Sequence, residues 1–106
     1  MIHSVFFESD GKLSGFRISG HSGYAERGKD IVCSAVSSAV QFASNLITDG
    51  FFIPADVWVK DNAFECRIKK PDENSTAILE MLRTHIESIS EEFPKTIKIT
   101  IRRCNL

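Results

Sequence analysis

Apolar residues recur along this chain at two periods, every second residue in several short runs and at helical spacing in two longer ones. In the run from Lys12 to Ser19, Phe16 and Ile18 share one face and Arg17 and Ser19 the other, which predicts a half-buried strand. Met1 to Glu8 is a second β-rich run, and the Asp-Gly pair in Ser9-Asp10-Gly11 between them predicts a hairpin. From Ile31 to about Thr48 the pattern turns helical. Ile31, Ala35, Ala39, Phe42 and Leu46 mark one side of this central helix, and Val32, Val36, Val40, Ala43 and Ile47 an adjacent one. A surface that wide is more than one sheet covers, so a second helix or a second subunit is expected against it. Asp49-Gly50 is expected to end the helix with a left-handed cap, and the apolar Phe51, Phe52, Ile53 and Pro54 to lead into the next strand. Val57 and Val59 flank Trp58 in one strand, while Phe64, Cys66 and Ile68 alternate with Glu65, Arg67 and Lys69 in the next, joined by Asp61-Asn62. Trp58, opposite the valines, is left to cover the sheet edge, a pocket or a partner surface. Pro71-Asp72-Glu73-Asn74 opens a second helix with Ile78, Leu82, Ile86, Ile89 and Phe93 as its apolar stripe. Ile97, Ile99 and Ile101 then alternate with Lys98, Thr100 and Arg102 in a last strand. The order β-β-α-β-β-α-β predicts an α+β fold, a mostly antiparallel sheet packed with two helices.

Composition narrows the function classes. A length of 106 residues with a 42% hydrophobic share suits one domain over residues 1–106. Thirteen basic against fourteen acidic residues give a net charge of −1, so the diffuse positive field of a nucleic-acid binder is missing and no direct nucleic-acid partner is expected. Three cysteines, an odd number at wide spacing, form neither a disulfide framework nor a close metal-ligand pair, which fits a reducing cytoplasm. His3 and His85 read as rim histidines, Glu80, Glu87, Glu91 and Glu92 as a solvated helix face, and no metal or other cofactor is expected. The first residues lack the basic segment and cleavage site of a secretion signal, so the chain is expected to stay inside the cell. Residues 31–48 carry no charge, yet Ser34, Ser37, Ser38, Gln41, Ser44 and Asn45 would be costly in lipid, and no membrane partner is expected.

Candidate chemistry concentrates where the hairpin gives way to the central helix. Asp30 is a strong N-cap residue directly before the apolar run, which makes Cys33 the N3 residue. There the positive end of the helix dipole and unpaired N–H groups favour a thiolate, the form a nucleophile needs. His21 stands at the other end of the loop, and Gly20, Gly23 and Gly28 let that loop fold back so that imidazole approaches sulfur. The plain alternative is a Cys33 buried as a small hydrophobe and a His21 that merely ends a strand. Ser37 follows Cys33 by four residues on the same helical face, where its hydroxyl either neighbours the thiol or bonds back to the preceding turn.

Gly20-His21-Ser22-Gly23-Tyr24-Ala25, with Gly28-Lys29-Asp30-Ile31-Val32-Cys33 and Val36-Ser37, resembles the ribosomal-processing cysteine protease family Prp. Chain length and element order resemble that family too, so the likeness covers essentially the whole chain. Ser22 and Ser34 depart from it, standing where the family is expected to have alanine. The resemblance implies a cytoplasmic peptidase that trims the N-terminal extension of large-subunit ribosomal protein twenty-seven. It implies Cys33 as nucleophile, His21 as general base, Ser37 as the serine near the pair and Asp30 as the motif acid. It also implies a homodimer, which would cover the wide helix surface, and an apolar cleft for aromatic residues beside the cut. On this reading N–H groups near Cys33 receive the oxyanion, and the loop from Ser22 to Lys29 closes over the peptide. The rival reading is a non-catalytic module that binds a ribosomal protein or assembly factor.

Overall fold

The computed structural model describes residues 1–21, 23, 25 and 30–104. Strand β1 (Ile2–Ser9) turns into β2 (Lys12–Gly20) through Asp10 and Gly11, both left-handed at φ 52° and 79°, the pairing that a tight two-residue hairpin needs. Helix α1 (Ile31–Asn45) follows, then β3 (Ala55–Lys60), β4 (Ala63–Ile68), α2 (Glu73–Glu92) and β5 (Ile97–Arg103). The β3–β4 hairpin repeats the device with Asp61 and Asn62 at φ 51° and 63°. The order β-β-α-β-β-α-β is therefore as expected, and the five strands lie as β3-β4-β2-β1-β5. All neighbours are antiparallel except β1 and β5, which are parallel. Each helix is a crossover that leaves room for other strands, α1 passing over β4 on the way to β3, and α2 over β2 and β1 on the way to β5.

Both helices bury their stripes on the same sheet face. Val32, Val36, Val40, Ala43 and Ile47 meet Ile2, Phe6, Phe16, Ile18 and Cys66, and Leu79, Leu82, Ile86 and Ile89 of α2 complete the core. Side chains of this size stabilise by about 1.5–3 kcal/mol each when fully buried. In α2 the deepest residue of the first turns is Leu79 rather than Ile78, which is only partly buried. The other side of α1 stays open in the isolated chain, with Ile31 54% and Phe42 59% exposed. With the turn that follows it, α1 is long and apolar enough to cross a membrane, at mean hydropathy 1.4, but its valine side is seated on the sheet.

The end of α1 differs from expectation. Gly50 takes no left-handed cap; instead the helix widens into a π turn over Leu46–Gly50, in which the Phe51 N–H donates to the Leu46 carbonyl at 2.9 Å. The left-handed residue is Phe52, at φ 54°. The wider turn lets Ile47 and Ile53 both point into the core while the Ile53 N–H donates to the Ile47 carbonyl at 2.9 Å.

Among the described residues, the outer sheet face carries no helix. Trp58 lies there, opposite Glu65, which excludes it from the inner face. Phe7 is fully buried on this open face because Gly15, its neighbour in β2, has no side chain, and the Arg67 guanidinium reaches across to lie 3.4 Å from the ring centroid. Glu65, expected at a polar surface, is also buried, covered by Arg17 at 3.3 Å and Arg67 at 3.1 Å.

Candidate active site

Strand β2 ends at Gly20, whose φ of 84° and close approach to the Met1 carbonyl, 2.5 Å from where a Cβ would sit, admit no side chain. His21 follows at once, exposed. Across the connecting loop, Asp30 caps α1 with an extended backbone, and Cys33 falls at N3 as expected. His21 and Cys33 line one cleft of about 900 Å³ between α1 and the strands β2, β4 and β3. Its apolar wall includes Ile18, Val36, Val40, Val57, Val59 and Phe64, and it becomes polar at Gln41 and Asn45 further along α1 and at Thr48 in the turn that follows. Ser37 lines it one turn beyond Cys33.

Asp30 does more than the sequence suggested. Its Oδ1 accepts from the N–H groups of Val32 at 3.0 Å and Cys33 at 3.1 Å, and its Oδ2 accepts from the Cys33 thiol at 3.3 Å. The Ser34 N–H and hydroxyl both donate to the Asp30 carbonyl, at 3.1 and 3.2 Å. Three first-turn N–H groups are thus engaged, so those beside Cys33 are not the open oxyanion donors expected of a bare helix end. The sulfur thus donates to the side chain of a buried residue, Asp30 being 7% exposed. Ser34 uses its hydroxyl to tighten the cap, which gives its departure from alanine a structural role.

The structure thus gathers four of the six site residues, Gly20, His21, Cys33 and Ser37, around the cleft, with Asp30 directly behind the thiol. Gly23 has φ 73° and open space where a side chain would sit, consistent with a turn in the loop. The loop-closure expectation rests mainly on Ser22, Tyr24 and residues 26–29, which lie outside the described residues. Of the other cysteines, Cys66 is fully buried, its thiol pushed up to about 11 by desolvation, and Cys104 lies at the end of the sheet beside Arg67. The cleft's far wall, Val57, Val59 and Phe64, is what residue-by-residue reading missed; the only signal was a pair of alternating valines on a strand that no apolar partner had been found to cover.

A profile of the family described as cysteine protease Prp matches residues 1–98. The chain belongs to the Prp family. A curated relative, the ribosomal processing cysteine protease Prp of Staphylococcus aureus, is 26% identical over 101 residues, covering 92% of this chain and 95% of the relative. The Prp fold is equally plain: the S. aureus protease with a covalently linked product peptide superposes at TM-score 0.88 with 24% identity, over 96% of this chain and 100% of that one. The same protease with a substrate peptide superposes at 0.83, with the same identity and coverage. In this Prp-family cysteine protease, Cys33 is the cysteine that reaches the cleft.

Proposed function

We propose that this chain is a ribosomal-processing cysteine endopeptidase that removes the N-terminal extension of large-subunit ribosomal protein twenty-seven in a reducing cytoplasm. Family membership supports the protease class, and the relative's name supports ribosomal processing. The observation that carries the assignment to residues is the shared cleft, with Cys33 and His21 at one end of an apolar wall. In the proposed cycle His21 takes the Cys33 proton, and the sulfur adds to the scissile carbonyl. His21 then returns the proton to the departing amine, leaving a thioester. Water hydrolyses that thioester, with His21 taking its proton, and restores the thiol. Asp30 positions the sulfur, while Gly20 and Gly23 shape the approach of His21 and Ser37 adds a hydroxyl beside the thiol. No metal or cofactor enters this scheme.

The test is cleavage of a peptide spanning the extension junction, with wild type and Cys33→Ala side by side and mass spectrometry to locate the cut. Cleavage by wild type alone is expected, with the variant still folded because alanine is well tolerated in a helix. Binding without cleavage by either protein would instead favour the non-catalytic module. The open side of α1, with exposed Ile31 and Phe42, supports a further proposal that two copies pair through this surface.

A further inference from the structure

Charge divides between the two sides of this fold. Helix α1 carries no charged residue, and α2 carries Glu73, Glu80, Glu87, Glu91 and Glu92 against Arg83 alone. Both helices cover the same sheet face, so this negative excess lies on the helix side. The open face has the opposite sign. Val57 and Val59 line the cleft and Ile97 and Ile99 pack on the core, so strand alternation turns Lys60 of β3 and Lys98 and Arg102 of β5 outward. Arg17 of β2 and Arg67 of β4 join them there, against the carboxylates of Asp56 and Glu65. The expectation of no nucleic-acid partner rested on the whole-chain charge of −1, which averages over two unlike faces.

Strand register sets the outward side chains in rows. One row runs Trp58, Glu65, Arg17, Val5 and Thr100, and the next runs Arg67, Gly15, Phe7 and Arg102. Glu65 is buried between Arg17 and Arg67, so two guanidiniums share one carboxylate and positive charge is left over at the surface. Gly15 keeps the second row flat, and the Arg67 guanidinium lies over the Phe7 ring. Trp58 stands exposed at the head of the first row. Lysines and arginines beside an exposed indole and a flat guanidinium suit a single strand, whose phosphates meet the cations while its splayed bases stack on rings and guanidinium planes. A duplex would present its phosphates but keep its bases stacked inside.

We infer that the open sheet face binds single-stranded RNA, with phosphates against Arg17, Lys98 and Arg102 and a base against Trp58. The choice of RNA among polyanions rests on the function proposed above, because a protease acting on a ribosomal protein works beside ribosomal RNA. The face is turned away from α1 and the cleft, so bound RNA holds the protease near its target and leaves the path of the peptide open.

Trp58 is the chain's single tryptophan, so its fluorescence reports on this face directly. The probe is an unstructured polypyrimidine RNA of twelve nucleotides, titrated into wild type at 50 mM salt. Binding with quenching of Trp58 is expected, weakening roughly tenfold to twentyfold at 200 mM salt if about three phosphates are neutralised. Lys98→Glu with Arg102→Glu, on the edge strand farthest from β3, is expected to weaken RNA binding at least tenfold and to cleave the junction peptide within twofold of wild type. No binding, binding without quenching, or equal binding by a folded double variant overturns the inference. Equal binding of the same RNA as a duplex also overturns it, by showing a phosphate field without stacking, and tighter binding of single-stranded DNA of that sequence overturns the choice of RNA. Should the double variant not fold, the quenching and the duplex comparison on wild type decide. Peptide cleavage measured in parallel separates the two readings: a wild type that cuts the peptide but binds no RNA overturns this inference alone, whereas one that binds RNA as described but leaves the peptide uncut overturns the protease reading.

Discussion

One carboxylate, that of Asp30, ends the loop, starts the helix and holds the candidate nucleophile. The two oxygens divide these roles, Oδ1 capping and Oδ2 meeting the thiol, so substitutions can separate them. Asp30→Ala removes both and is expected to destabilise by about 1 kcal/mol, lowering Tm by roughly 5 °C. Asp30→Asn keeps an acceptor for the cap and should melt within about 2 °C of wild type, because asparagine caps as well as aspartate. Paired thermal melts read the difference; equal losses in both variants would mean that the charge, not the cap, holds the helix start. Cys66 makes a separate prediction about pH. Burial raises its thiol from 9.0 to about 11, so the folded protein keeps this proton at pH values where the unfolded chain has released it. The resulting stabilisation is fully present below pH 9 and is lost between about pH 9 and 11, at about 1.4 kcal/mol per pH unit. Urea midpoints at pH 8 and 10.5 should fall more steeply for wild type than for Cys66→Val, and parallel declines would dispose of the assignment.

Elements were legible where a local signal dictates them. The Asp-Gly and Asp-Asn turns, the Asp30 cap and the alternation in β2, β4 and β5 each act within a few residues, and each stands where the sequence placed it. What the chain hid depends on neighbours distant in sequence. The π turn after α1 exists because Ile47 and Ile53 both reach one core, which outweighs the capping preference of Asp49-Gly50. Phe7 and Glu65 are buried on a face with no helix because side chains of adjacent strands roof them: Gly15 vacates the space that Arg67 crosses, and Cys66 O would lie 2.3 Å from any Cβ there. For the site, the positions of His21 and Cys33 could be read from loop and cap chemistry, while the cleft could not. It arises between α1 and β3, elements that never meet in sequence, and its valines read only as one face of a strand. The engagement of the first-turn N–H groups was hidden for a similar reason, since a capping residue can leave those donors open or consume them depending on its rotamer.

For the whole molecule, the described residues leave apolar surface uncovered on β3, at Val57, Trp58 and Val59, and on and just after α1. Ile31, Ala35 and Phe42 repeat at helical spacing on the side turned from the sheet, and Phe51 and Phe52, 46% and 82% exposed, continue beyond the π turn. A net charge of −1 supplies little long-range repulsion between copies. Small residues at Ala35 and Ser38 let a second helix approach closely, and a two-fold arrangement would set the same stripe against itself. A stable pair must cover about 800 Å² on each partner, which a four-turn helix face and the adjoining phenylalanines can approach together. Sedimentation equilibrium at micromolar concentration should therefore give a mass near twice 11.9 kDa. Phe42→Glu, placed at the centre of the exposed stripe and outside the core, should return it to a single copy without lowering Tm by more than a few degrees, because it disturbs no packed contact of the sheet. A wild type that sediments as one copy would overturn the pairing.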